Sequence, residues 1–151
     1  MTKWNEVDEV LDFAIANEEE AARFYYDLSS RAENKWMRKV FEDYAKEEMR
    51  HKDKLMSVKK GKILLGSSKK VLDLKMSDYL VDVEATGDLD YQDAIILAMK
   101  KEKAAFRLYH DLSEAAEDEQ VRELFAGLAQ EEAKHKLRFE LEYDDKFLQD
   151  N

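Results

Sequence analysis

The sequence predicts an all-α protein: an antiparallel four-helix bundle made of two repeated helical hairpins joined by one long crossover. Three observations carry this expectation. Proline is absent and glycine occurs only 4 times in 151 residues, while Ala, Leu, Glu, Lys, Arg and Met, the residues that lose least on entering a helix, dominate. Apolar residues recur in alternating steps of three and four, the stripe of a helix with one buried face. Residues 14–55 also align with residues 98–139 at a fixed offset of 84 without a gap, with 17 of 42 positions identical, which marks an internally duplicated unit. The length is that of a single domain, expected to span 1–151, with enough chain to bury a core.

The first helix carries the stripe Val7, Leu11, Ala14, Glu18, Ala21, Tyr25, Leu28 and Ala32, and the second carries Met37, Phe41, Tyr44, Glu48, His51, Leu55 and Val58. A turn is expected near Glu33–Asn34, and Gly61 is placed to stop the second helix. Residues 60–89 are too long for a hairpin loop and read as a crossover between hairpins, with a short helix near Ser77–Val83 that Ser77 would cap. Within it, GKILLGSSKK is a loop without a phosphate-binding signature, because such loops follow a strand. Asp90 is the expected N-cap of the third helix, whose stripe is Tyr91, Ile95, Ala98, Glu102, Ala105, Tyr109, Leu112 and Ala116. After a second turn near Glu117–Asp118, the fourth helix gives Val121, Phe125, Leu128, Glu132, His135 and Phe139. Stripes of this step pattern pack as left-handed, knobs-into-holes bundles, and one long crossover between two hairpins is a ferritin-like arrangement.

Glu48-x-x-His51 and Glu132-x-x-His135 stand out because they lie on these apolar stripes. A carboxylate and an imidazole one helical turn apart point the same way, and burying them is costly unless something compensates. The natural compensator is a metal ion. Glu18 and Glu48 are equidistant from residue 33, and Glu102 and Glu132 from residue 117. Each pair should therefore sit level across its hairpin, with the histidine about 4.5 Å further along the axis. Packing the hairpins face to face then brings four carboxylates and two imidazoles into the centre. A Glu from each of two helices plus Glu-x-x-His from each of the other two is the ligand set of ferritin-like di-iron and di-manganese bundles. Four ionised Glu and two neutral His carry a charge that two divalent cations neutralise. Glu18 and Glu102 are then terminal ligands, Glu48 and Glu132 bridges, and His51 and His135 one ligand per ion. Mixed nitrogen and oxygen ligation suits iron or manganese, and zinc can also occupy such a site.

Other polar residues read more plainly. Glu19, Glu20, Glu47 and Glu131 lie off the stripes and read as solvated faces; His110 reads as a surface residue. Tyr25 and Tyr109 follow Glu18 and Glu102 by seven residues, two turns along the same stripe. They are core aromatics whose hydroxyls need partners, and a ligand carboxylate of the opposite hairpin could supply one. Trp4, Trp36 and the methionines read as packing. The formal net charge of −10 argues against a grip on nucleic-acid phosphates or an anionic membrane surface. Without cysteine, these residues form no disulfide, thiolate zinc site or cysteine-ligated cluster. MTKWNEVDEV has no apolar run of signal length and no stretch reaches membrane-span length, so the expectation is a cytoplasmic protein.

Glu-x6-Tyr on the first helix, AKEEMRHK on the second and their repeats KEKAAFRLY and AQEEAKHK resemble the rubrerythrin branch of the ferritin-like superfamily. The resemblance extends over nearly the whole chain, including the DYLVDVEATGDLDYQDAI crossover and the ELEYDD tail. It implies a non-haem di-iron centre, ligated by Glu18, Glu48, His51, Glu102, Glu132 and His135, that reduces hydrogen peroxide with electrons from a rubredoxin-type iron centre. Two departures matter. Full-length rubrerythrins carry a four-cysteine rubredoxin domain, so here a separate rubredoxin-like donor protein is expected. They also place a further Glu three residues after the third-helix Glu, where this chain has Ala105, matching Ala21 in the first half. The centre therefore reads as symmetric, closer to a bacterioferritin or simple oxidase site.

The expected function is a di-iron oxidoreductase acting on hydrogen peroxide or O₂. The alternatives are ferroxidase-linked iron sequestration and a non-catalytic bundle filled by zinc. A homodimer is expected, and the long crossover would also permit hairpins to be exchanged between subunits.

Overall fold

The computed structural model describes residues 7–60, 74, 76–81 and 89–148. Four helices of nearly equal length account for most of them: α1 (Val7–Arg31), α2 (Lys35–Lys60), α3 (Tyr91–Ala115) and α4 (Glu119–Tyr143). At 1.5 Å rise per residue each is roughly 37 Å long. No strand occurs among the described residues.

Both hairpin turns are three residues long and fall where the stripes break. In the first, the Asn34 side chain accepts from the Trp36 N–H at 2.7 Å. In the second, Asp118 is the N-cap of α4, accepting from Gln120 and Val121. Asp90 caps α3 by accepting from the Asp93 N–H. These side chains satisfy amide groups that a helix start leaves without partners.

α1 pairs with α2 and α3 with α4, and the two hairpins pack along α1/α3 and α2/α4. Contacts across the hairpin boundary run in opposite senses: Tyr25 meets Glu102 while Tyr109 meets Glu18, and His51 meets Glu131 while His135 meets Glu47. Neighbouring helices are therefore antiparallel, and the 84-residue repeat becomes a pseudo-two-fold relation between hairpins. It follows that α2 ends and α3 begins at opposite ends of the bundle, so the connection between them spans its length. Part of that connection is a 3₁₀ turn, Met76–Tyr79, fixed to α3 by a hydrogen bond from the Tyr79 hydroxyl to Asp111 at 2.7 Å.

The core divides into two apolar clusters. One gathers Leu11, Leu55, Leu112, Val121 and Phe125; the other gathers Leu28, Met37, Phe41, Ile95 and Phe139. The stripe residues read from the sequence are the buried ones, apart from Tyr44, Tyr91 and Ala105, which are half-buried, and Val7, whose side chain lies outside the described set. Between the clusters lies a single polar layer of four carboxylates and two imidazoles.

Several local expectations change. Among the described residues of the crossover the helical part is one 3₁₀ turn, Met76–Tyr79, with 80 and 81 outside it. Residues 82–83 of the expected helix lie outside the described residues. Ser77 lies inside the turn, so it does not precede it as a cap. Trp36 is exposed instead of packed; one position before Met37, it lies about 100° around the helix from the seam. Met49 and Met56 are exposed as well, whereas Met37 is buried. The expected helix stop at Gly61, the loop GKILLGSSKK and Trp4 lie outside the described residues. At its far end α4 continues past Phe139 to Tyr143 and then into a π-helical turn, Asp144–Leu148. Buried Glu142 is held there by the Tyr91 hydroxyl at 2.8 Å.

Candidate metal centre

All six residues singled out on the stripes converge at mid-bundle. Glu18, Glu48, His51, Glu102, Glu132 and His135 are each no more than 2% exposed, an unusual state for so many ionisable side chains in one layer. Glu18, Glu48, His51 and Glu132 each offer one ligand atom, and these atoms lie within 4.8 Å of one another; so do those of Glu48, Glu102, Glu132 and His135. Glu48 and Glu132 belong to both groups. The two imidazole rings are nearly parallel, at 10°, with centroids 6.4 Å apart.

The histidines are oriented alike. His51 Nδ1 points into the cluster, 3.3 Å from Glu18 and from Glu48 and 3.4 Å from Glu132. His135 Nδ1 lies 3.4 Å from Glu102 and 3.5 Å from Glu132. Each Nε2 points outward at a carboxylate of the other hairpin: His51 at Glu131, 3.3 Å away, and His135 at Glu47, 3.5 Å away. Glu47 and Glu131 were expected on solvated faces. They are instead only partly exposed, 25% and 35%, because each reaches across the α2/α4 interface. A carboxylate facing the outer nitrogen favours a proton there, so that Nδ1 would be the inward lone pair of the neutral ring, the usual support for a metal-binding imidazole. The sequence carried one sign of this, since Glu-Glu-x-x-His repeats entire in both halves. Glu19 and Glu20 do lie outward, paired with Lys52 and Lys101, and His110 is exposed, stacked on Phe106.

Tyr25 donates to Glu102 and Tyr109 donates to Glu18, each from the opposite hairpin. Burial pushes both phenols well above their ordinary pKa, and the carboxylates around them add to the shift. Both hydroxyls therefore keep their protons and remain donors. One asymmetry stands out: the Tyr44 ring stacks on His135 at 3.8 Å, where the repeat has Leu128 in the other half.

Electrostatics show what the layer lacks. Burial, then repulsion from neighbouring carboxylates, pushes the Glu48 and Glu132 carboxyls well above the usual range. Glu102 is raised by burial as well, although His135 and Tyr25 pull it part of the way back. Burial pulls His51 down, but Glu18, Glu132 and Glu131 outweigh it and lift the ring from 6.5 to about 9. His135 is lifted to about 9 against the same opposition, by Glu102 and Glu47. Even so, Glu48 Oε1, Glu102 Oε2, both Glu132 oxygens and His135 Nδ1 inside the layer are buried without a hydrogen-bond partner, as are the two outward Nε2 atoms, which face Glu131 and Glu47 at ion-pair distance only. Each such atom costs about 1–3 kcal/mol. A cation within the layer would convert the penalties of the inward-facing atoms into bonds, and two oxygen-rich groups with one imidazole each are a donor set suited to iron or manganese.

Fold and cluster together define the class: a ferritin-like four-helix bundle with a buried carboxylate–imidazole centre suited to metal. The rubrerythrin family model matches residues 9–143, and the chain belongs to that family. Similar folds occur in a Thermotoga maritima protein described as a ferritin-like diiron-carboxylate protein (20% identity, TM-score 0.77, covering 96% of this chain and 99% of that one). A hypothetical protein from Pyrococcus furiosus (24% identity, TM-score 0.71, 93% and 89% covered) and a conserved hypothetical protein from Mycobacterium tuberculosis (17% identity, TM-score 0.68, 95% and 94% covered) are also similar. No curated protein matches the sequence. Among the described residues, no helix is long and apolar enough to cross a membrane.

Proposed function

We propose that this protein is a non-haem di-iron oxidoreductase that reduces peroxide, or reacts with O₂, at the centre of the bundle. The observation that carries the proposal is the set of buried, partnerless ligand atoms shared between two four-residue groups. Glu18 and His51 would hold one ion, Glu102 and His135 the other, and Glu48 and Glu132 both. Iron bound there supplies the redox steps and the Lewis acidity that O–O cleavage requires.

The chain's own part is to bind, orient and exclude. Glu47 and Glu131 hold the imidazoles with Nδ1 inward. Tyr25 and Tyr109 fix the Glu102 and Glu18 carboxylates from across the hairpin boundary. The two apolar clusters close the layer off along the bundle axis, and the low dielectric they provide strengthens each electrostatic contact inside. These residues include no cysteine to hold a cysteine-ligated iron centre, so the electrons would come from a one-electron donor outside this bundle.

The proposal is tested by metal analysis of protein purified without added metal, followed by anaerobic reduction and mixing with peroxide or O₂. Two redox-active ions per chain, reoxidised by either oxidant, are expected. Zinc alone, or iron that neither oxidant reoxidises, would overturn the enzymatic reading.

A further inference from the structure

Residue for residue the centre is close to two-fold symmetric, yet its surroundings are not. A cavity of about 150 Å³ opens on the α1/α3 side and reaches Glu18, Glu48, Glu102 and Glu132. On the α2/α4 side the imidazoles and their outer carboxylates stand between the layer and a shallow surface depression beside Tyr44 and Lys134. Alanines make the space: Ala14, Ala21 and Ala105 stand where longer side chains would fill it, with Leu108 as a further apolar wall and Asn17 as a neutral polar one. Tyr79, Leu80 and Val81 of the crossover also line it. Across the pseudo-two-fold, Phe24 stands in place of Leu108 and Lys101 in place of Asn17. On that side the Lys101 ammonium, paired with Glu20 at 2.6 Å and lying over the Phe24 ring at 5.6 Å, forms a charged edge of the same cavity. The space thus has a polar end at the candidate metal ligands, an apolar wall of Phe13, Ala14, Ala105 and Leu108, and a polar edge of Asn17, Glu20 and Lys101.

Its size is informative. An apolar cavity of about 150 Å³ in another protein admits benzene, whereas a water takes up only about 30 Å³. Hydrogen peroxide, with two heavy atoms, would leave most of this space empty. We infer that the cavity is the substrate pocket for a short-chain organic hydroperoxide of about six heavy atoms, its O–O end at the carboxylate layer and its alkyl group against Ala105, Ala14 and Leu108. This rests on the peroxide-reducing reading above and names its substrate class. In the reaction the O–O bond breaks, one oxygen leaving as the alcohol and the other as water. Two protons are taken up, and the two electrons would be supplied by reduced metal held by the carboxylate–imidazole layer and replenished by a one-electron donor.

The test uses the metal-loaded full chain with tert-butyl hydroperoxide and hydrogen peroxide as substrates. A second arm uses tert-butanol, the unreactive product, in ligand-observed saturation-transfer NMR. Ala105→Leu occupies the cavity from a half-buried position, and Ala105→Val is a smaller addition should the first fold poorly; metal content and melting temperature are checked for both. In the wild type, tert-butyl hydroperoxide is reduced and tert-butanol receives saturation. In Ala105→Leu the ratio of kcat/KM for tert-butyl hydroperoxide to that for hydrogen peroxide falls at least tenfold and the NMR signal is lost, with Ala105→Val intermediate. An unchanged ratio, or tert-butanol saturation absent from the wild type or retained in Ala105→Leu, overturns the inference. Reduction of hydrogen peroxide alone leaves the proposed function standing and removes the pocket. Binding of tert-butanol with no turnover of either peroxide does the reverse.

Discussion

Stripping the metal should make the protein's stability fall as pH rises, in a defined window. In the metal-free fold the carboxylate layer is offset chiefly by protons, and His51 and His135 are the clearest carriers, each lifted from 6.5 to about 9. A group whose folded pKa lies above its unfolded one contributes its full stabilisation below the unfolded value and loses it as pH climbs through the folded value. The window is therefore about 6.5 to 9. At 1.36 kcal/mol per pKa unit, one ring contributes about 3 kcal/mol. The rings share the carboxylates of Glu48 and Glu132, so the pair contributes less than twice that. For a chain of this length 1 kcal/mol corresponds to roughly 2–4 °C, so the melting temperature should drop about 10 °C between pH 6.5 and 9.5. The raised carboxyls of Glu48, Glu102 and Glu132 act in the same direction. With metal bound, the imidazoles are already deprotonated and the slope should flatten. Thermal melts by circular dichroism, with chelator and with metal, read this directly. A metal-free melting temperature that is flat or rises over the window would refute the reasoning.

Glu48→Ala with Glu132→Ala removes the residues common to both groups, and metal analysis should find neither ion; retention of both would show that the ligands lie elsewhere. Glu131→Gln replaces the carboxylate on His51 Nε2 and should weaken one ion 10- to 100-fold in a competitive chelator titration, with Glu47→Gln doing the same for the other. An unaffected titration would mean the outer carboxylates are passive. Tyr25→Phe leaves the Glu102 carboxylate without its donor, at about 1–3 kcal/mol in a denaturant melt. A loss near zero would mean that water replaces the hydroxyl.

Much of this centre was legible because the repeat supplied each observation twice. A buried Glu-x-x-His in one helix is ambiguous; the same residues 84 positions later, each level with a second stripe carboxylate, leave little freedom in where the side chains go. The phenol–carboxylate contacts were accessible for the same reason, since seven residues is two turns along one face. Glu47 and Glu131 were harder. They lie one residue off the seam, where orientation depends on how α2 and α4 are rotated against each other, and stripe periodicity does not encode that rotation. The cavity beside Ala105 was equally hidden, because small residues on a stripe can permit either close helix approach or empty space. The crossover has neither a repeat nor a long stripe, and there the sequence overestimated a 3₁₀ turn as a helix. Trp36 shows a different limit: residue type suggested burial, but helix phase put it in solvent.

The central claim is that the carboxylate–imidazole layer holds two ions, with Glu48 and Glu132 between them. An anomalous-difference map from crystals of protein grown with iron tests it most directly. Two peaks about 3.5–4 Å apart, one beside His51 and one beside His135, are predicted. A single peak on the two-fold axis, or none within the layer while protein-bound iron is found elsewhere, would contradict it.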